Sequence, residues 1–178
     1  MYAKVWKNKS NGQLCITIPH DAGFIDGDHI RYDRPKVNVI IYSFVCSDIY
    51  HYGHTLLLRH ASQLSDLHIC GVLTNKAIES YKRKPIMDYK ERHQIVLDNH
   101  NVDMVIPQRE RDPTNNLKYI HSLFPKSKLL LIHGSDWEDS PFPGEEYLKS
   151  IGGKFVKHPY YERLSTTKII NEIKKRCD

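Results

Sequence analysis

From Val37 onward the chain alternates between short, nearly continuous apolar runs and longer stretches whose apolar positions recur at helical spacing. The run Val37–Cys46 reads as a buried strand by its length and its β-branched content. The pattern predicts further strands near 67–73, 103–107, 128–133 and 154–157. Between and after them it predicts helices near 53–65, 88–99, 114–124, 143–151 and 166–175. Asp66, Asp103 and Lys128 mark strand starts, and Gly152-Gly153 stops the fourth helix as C-terminal glycines do. Strand and helix in alternation describe a parallel sheet with crossover helices, an α/β domain over residues 36–178. Residues 1–35 differ. Asn8, Ser10, Asn11, Gly12, Pro19, Gly23, Gly27 and Asp28 punctuate short β-type runs such as Gln13–Ile18, which predicts a small β-hairpin unit.

Composition narrows the class without choosing a function. The 178 residues suffice for one α/β domain with a small appendage, and a mean hydropathy of −0.54 describes a soluble globular chain. No apolar stretch reaches the roughly 18–20 residues of a membrane span, and the N-terminus lacks a secretory apolar region. Cys15, Cys46, Cys70 and Cys177 show neither disulfide nor metal spacing, which fits a reducing cytoplasm. A net charge of +5 suits acidic substrates and also permits weak contact with nucleic acid.

The most informative stretch is Asp48-Ile49-Tyr50-His51-Tyr52-Gly53-His54, between the first buried strand and the first helix. A helix start gathers unpaired backbone N–H groups and the positive end of the helix dipole, a ready site for phosphate. Gly53 permits close backbone approach, and two histidines three apart can face one anion. Two plainer readings compete, helix-capping histidines and a shared metal ion. A structural zinc site wants four ligands, and no Cys-x-x-Cys or second histidine pair at suitable spacing follows.

Cys46-Ser47-Asp48-Ile49-Tyr50-His51-Tyr52-Gly53-His54 resembles the first motif of the HxGH nucleotidyltransferases, Phe-Asp-x-x-His-x-Gly-His after a strand, in their cytidylyltransferase branch. Later motifs of that family follow in order. Lys82-Arg83-Lys84-Pro85 precedes Tyr89, Glu91 and Arg92; Ile132-His133-Gly134-Ser135-Asp136-Trp137 resembles Gly-Asp-Asp-Trp; Leu164-Ser165-Thr166-Thr167-Lys168-Ile169-Ile170 resembles Ile-Ser-Thr-Thr-x-Ile. The first 30 or so residues resemble the AbrB-type swapped hairpin, on Asn11-Gly12-Gln13, Pro19, Gly23-Phe24 and Gly27-Asp28. So small a unit is usually stabilised by interleaving with a second copy, so it reads as a homodimer clasp, with DNA binding through Lys4, Lys7 and Lys9 as the lesser alternative.

The resemblance implies a Rossmann-like fold and attack of an acceptor phosphate or phosphonate oxygen on the α-phosphorus of CTP, with Mg²⁺ accompanying the nucleotide. It implies that His51, His54 and Lys82 are catalytic. Cys46, Ser47, Asp48, Gly53, Gly134, Asp136, Trp137, Leu164, Ser165 and Thr166 would bind nucleotide, and Asp48 would contact the metal through water. Arg83, Lys84, Arg92 and Arg163 would receive the acceptor or phosphate. Two departures bear on substrate: Tyr160 stands where the family commonly has arginine, and Ser135 replaces the first aspartate of Gly-Asp-Asp-Trp. The segment Leu73–Pro85 is similar to enzymes that charge 2-hydroxyethyl- or 2-aminoethylphosphonate, and Ser-Thr-Thr-Lys-Ile to glycerol-3-phosphate cytidylyltransferases. Phosphocholine and phosphoethanolamine are further acceptors, and adenylyl transfer is a third choice. The reading from another class is a DNA-binding regulator whose α/β domain senses a nucleotide.

Overall fold

The computed structural model describes the backbone of residues 5–7 and 14–16, and all of residues 37–135 and 142–177. The chain divides into two units, Met1–Pro35 and Lys36–Asp178. In the first, β1 (Val5–Lys7) pairs antiparallel with β2 (Leu14–Ile16).

In the second unit, β3 (Val39–Val45), β4 (Leu67–Leu73), β5 (Met104–Gln108), β6 (Lys128–Gly134) and β7 (Lys154–His158) form one parallel sheet in the order β5-β4-β3-β6-β7. Its helices are α1 (Tyr52–Gln63), α2 (Asn75–Glu79), α3 (Tyr89–Leu97), α4 (Thr114–Leu123), α5 (Glu145–Ser150) and α6 (Thr166–Cys177). The sheet and its alternation are those the sequence predicts, a Rossmann-like α/β fold. One element was not anticipated: α2 starts on Thr74, whose hydroxyl accepts from Ala77 N at 3.2 Å, in a stretch that reads as loop. None of the described helices is long and apolar enough to cross a membrane.

β3 explains why the apolar runs are continuous rather than alternating. Ile40, Tyr42 and Phe44 pack on one face with Ile78, Leu117 and Leu148, from α2, α4 and α5. Ile41 and Val45 pack on the other with Leu58 and Val96, from α1 and α3. A strand covered on both faces needs apolar side chains at nearly every position. Tyr42 is the polar exception: its hydroxyl donates to Gln108 Oε1 and accepts from Asn116 Nδ2 at 2.8 Å. A Cβ on Gly71 would lie 2.0 Å from that hydroxyl, so glycine is what admits the ring.

The chain runs β3, β4, β5 outward on one side and then returns to place β6 on the other side of β3. Neighbouring crossovers therefore diverge between β3 and β6, and a crevice opens at their carboxyl ends. Open parallel sheets bind ligands at such a point.

Candidate functional site

A cavity of about 350 Å³ occupies that crevice. Its floor is the end of β3 (Phe44, Val45, Cys46) and of β6 (His133, Gly134). The start of α1, the residues Lys82 and Arg83, and Leu164 to Thr167 beside α6 line the rest of it.

The β3–α1 turn is tightly built. Ser47 and Ile49 have φ of 53° and 54°, the left-handed region that side chains other than glycine rarely enter. Two such residues within three turn the chain from strand to helix in a few peptides. Ser47 is buried and its hydroxyl donates to Arg92 O at 3.3 Å. Asp48 Oδ1 accepts from Ile86 N and Met87 N, each at 3.0 Å, and Asp48 O accepts from Thr166 Oγ1 at 3.0 Å.

His51 is the N-cap of α1, and the two histidines form a capping box in which each supplies an acceptor. His51 Nδ1 accepts from Gly53 N at 3.1 Å, and His54 Nδ1 accepts from His51 N at 3.3 Å. An accepting Nδ1 carries a lone pair, so in each neutral ring the hydrogen sits on Nε2. The rings lie 4.1 Å apart between centroids, and Tyr50 stacks on His54 at 5.3 Å. Tyr50 is held in turn by hydrogen bonds to its hydroxyl from Thr55 Oγ1 at 3.1 Å and Asn99 Nδ2 at 2.9 Å. Burial lowers the pKa of His51; burial first, then the neighbouring His51 and Lys82 charges, lower that of His54 to about 3. Both rings are neutral donors at physiological pH. Gly53 is fixed by the same packing, because a Cβ there would sit 2.9 Å from His51 Cε1.

Of the residues expected from sequence, Cys46, Asp48, His51, Gly53, His54, Lys82, Arg83, Gly134, Leu164, Ser165 and Thr166 line the cavity together. Asp136 and Trp137 lie outside the described residues. Ser47, Lys84, Arg92 and Arg163 do not line it. Lys84 and Arg163 are exposed, whereas Ser47 serves the turn. Arg92 corrects its expectation of phosphate contact: it is fully buried and its guanidinium faces protein acceptors. Nη1 donates to Cys46 O at 2.8 Å and Leu73 O at 2.6 Å, Nη2 to Asn75 Oδ1 at 2.6 Å, and Nε to Met87 O at 3.2 Å. Asp48 is the one carboxylate among the described lining residues, and its Oδ1 holds two backbone amides.

Sequence reasoning assigned no role to Phe44, His133, His158 or Tyr161 and marked Tyr160 only as a departure from the family pattern; all five line the cavity. Tyr161 packs edge-on against Tyr52 at 5.3 Å. His158 Nδ1 lies 2.9 Å from His60 Nδ1. The available signal was position, since His133 and His158 sit at the carboxyl ends of β6 and β7 beside the switch point.

Comparison with known proteins agrees on the domain. A family model described as cytidylyltransferase-like matches residues 46–172. The bifunctional protein HldE of Trichlorobacter lovleyi is 28% identical over 149 residues, covering 83% of this chain and 29% of that protein. HldE of Nitrosococcus oceani is 30% identical over 148 residues, covering 82% and 30%. The chain therefore spans less than a third of the length of these relatives. Among solved structures, a lipopolysaccharide core biosynthesis protein from Thermoplasma volcanium superposes with a TM-score of 0.59 at 20% identity, covering 71% of this chain and 99% of that one. That likeness is one of fold.

Proposed function

The chain belongs to the cytidylyltransferase-like family, and from that premise we propose that this nucleotidyltransferase moves CMP from CTP to a small phosphonate or phosphate monoester, with 2-hydroxyethyl- or 2-aminoethylphosphonate favoured. The observation that carries the reading is the pair of neutral histidines at the α1 N-terminus, their Nδ1 atoms occupied by the helix cap. An acceptor oxygen, already anionic at neutral pH, forms a bond to the α-phosphorus as the bond to the bridging oxygen breaks and pyrophosphate departs. No proton need be removed from the nucleophile, so the site supplies alignment and charge stabilisation.

In this reading the two Nε2–H groups donate to phosphate oxygens, and their neutrality spares them any loss of acceptor capacity at Nδ1. Lys82, on the cavity lining, brings the ammonium that balances charge on the transferring phosphorus and the acceptor. Arg83 serves the acceptor anion beside it. Ser165 caps α6, its hydroxyl accepting from Lys168 N at 3.2 Å, and the start of that helix faces the phosphate tail. Mg²⁺ neutralises triphosphate charge when bound. With Asp48 Oδ1 committed to Ile86 and Met87, the donor set fits a cation carried in by phosphate oxygens and water.

The test is pyrophosphate release with Mg²⁺, pairing CTP and ATP with 2-hydroxyethylphosphonate, 2-aminoethylphosphonate, glycerol 3-phosphate and phosphocholine. One structural neighbour is named for lipopolysaccharide core biosynthesis, a sugar-building process, so a sugar 1-phosphate joins the panel. Release with CTP and a phosphonate is the expected result; release with ATP and the sugar phosphate alone would replace both donor and acceptor. We propose residues 1–35 as a homodimer clasp, and a monomeric mass for the full chain in solution would remove that assignment.

A further inference from the structure

The segment that follows Lys82 packs through buried Pro85 and has few described hydrogen bonds of its own. Lys82 N bonds back to Ile78 O at 2.8 Å, and the next regular element begins at Asp88, the N-cap of α3. Between these points the described hydrogen bonds converge on Met87. Its amide, with that of Ile86, donates to Asp48 Oδ1 at 3.0 Å, while its carbonyl accepts from Arg92 Nε at 3.2 Å. One residue is thus gripped at its N–H by a carboxylate and at its C=O by a guanidinium. Both gripping residues are buried, and both are rooted in the end of β3. Arg92 donates to the carbonyl of Cys46, and Asp48 lies two residues beyond Cys46 in the same turn that presents His51. Thr166 joins α6 to that turn through Asp48 O.

We propose that Asp48 and Arg92 form a positioning clamp on the Lys82 loop, setting the lysine and Arg83 against the histidines in the cavity. The assignment departs from a metal-contacting Asp48 and a phosphate-binding Arg92. Neither side chain need touch substrate to matter, because a loop held at Met87 fixes how far Lys82 stands from His54. A hydrogen bond to a charged group is worth more than a neutral one, and the clamp has charge on both sides.

The structural arm of the test does not depend on the nucleotidyl-transfer reading. Trypsin cleaves after Lys82 and Arg83 but not at Lys84-Pro85. Asp48→Ala is expected to speed cleavage at those two sites about tenfold or more, since proteolysis follows the population of the open loop. Asp48→Asn, whose amide oxygen can accept both N–H groups, should restore most of the protection. In the unaltered protein, the amides of Ile86 and Met87 should exchange slowly beside fast exchange at Arg83 and Lys84. The activity arm rests on the proposed reaction: Asp48→Ala lowers kcat with the half-saturating Mg²⁺ concentration unmoved, and Asp48→Asn recovers kcat. Wild-type trypsin sensitivity in Asp48→Ala, or fast exchange at Ile86 and Met87, overturns the clamp. So does a rise in half-saturating Mg²⁺ with cleavage unaltered. Lack of turnover in the wild type beside slow exchange at Met87 would overturn the reaction and leave the clamp standing.

Discussion

His68 and the His51–His54 pair place the same side chain at opposite ends of one sheet, with opposite consequences. His68 stands near the start of β4, where Nδ1 donates to Asn101 O at 2.5 Å and Nε2 accepts from Ser43 Oγ at 2.8 Å. Hydroxyl, imidazole and acceptor in a row match the outline of a nucleophile relay. Yet Ser43 and His68 are completely buried and neither lines the cavity, so the row closes on itself and satisfies a polar core. His51 and His54 stand beyond the end of β3, with their inner nitrogens tied to backbone and their rings on a cavity. What separates the core imidazole from the pair proposed to meet phosphate is the end of the strand each occupies, since ligands reach parallel sheets at the carboxyl edge.

The comparison breaks most visibly in turnover. His54→Ala is expected to lower kcat by at least about a hundredfold with folding intact, because a preorganised donor to the transferring phosphate is lost; near-wild-type turnover would place the chemistry elsewhere. His68→Ala is expected to do the reverse. It leaves the Ser43 hydroxyl and the Asn101 carbonyl unpaired in the core, at a cost of about 2 kcal/mol in denaturant unfolding, with kcat per folded molecule near wild type. Loss of turnover without loss of stability would erase the distinction.

The smallest expected effect is on pH. Burial lowers the pKa of both His54 and His68 below the ordinary 6.5, so the unfolded chain takes up protons that the folded chain refuses. Their contribution to stability is complete above 6.5 and declines as pH falls toward the folded value, which for His54 is about 3. His54 should account for about 1 kcal/mol over the first pH unit below 6.5, and His68 for a loss in the same direction. Unfolding titrations of His54→Ala and His68→Ala should each flatten the curve in that window, and an unaltered slope in either would contradict its neutral assignment.

The sheet was legible because a strand covered on both faces leaves an unbroken apolar run; β4 matches its predicted 67–73 span residue for residue. The β3–α1 turn was legible because glycine between two histidines serves a steric need, visible as the 2.9 Å approach to His51 Cε1. Arg92 was not legible. A helix arginine in a polar segment reads as solvated or anion-binding, and only the fold reveals the carbonyls of Cys46, Leu73 and Met87 converging on it from three parts of the chain. α2 escaped for a related reason, since five residues hold too little periodicity to register. The wall of His133, His158, Tyr160 and Tyr161 depends on the adjacency of β6 and β7, which the linear order leaves open.

Ile49 carries a consequence for any attempt to improve this chain. A β-branched residue at φ 54° sits in backbone that costs on the order of 1–3 kcal/mol. Screens that reward thermal tolerance alone would favour Asn at that position, a residue at ease in the left-handed region. Asn suits the φ already adopted, so the bend that sends Asp48 toward one rim and His51 back over Gly53 would stay in place. The β3–α1 corner is thus a place where durability can rise while the residues that line the cavity keep their aim.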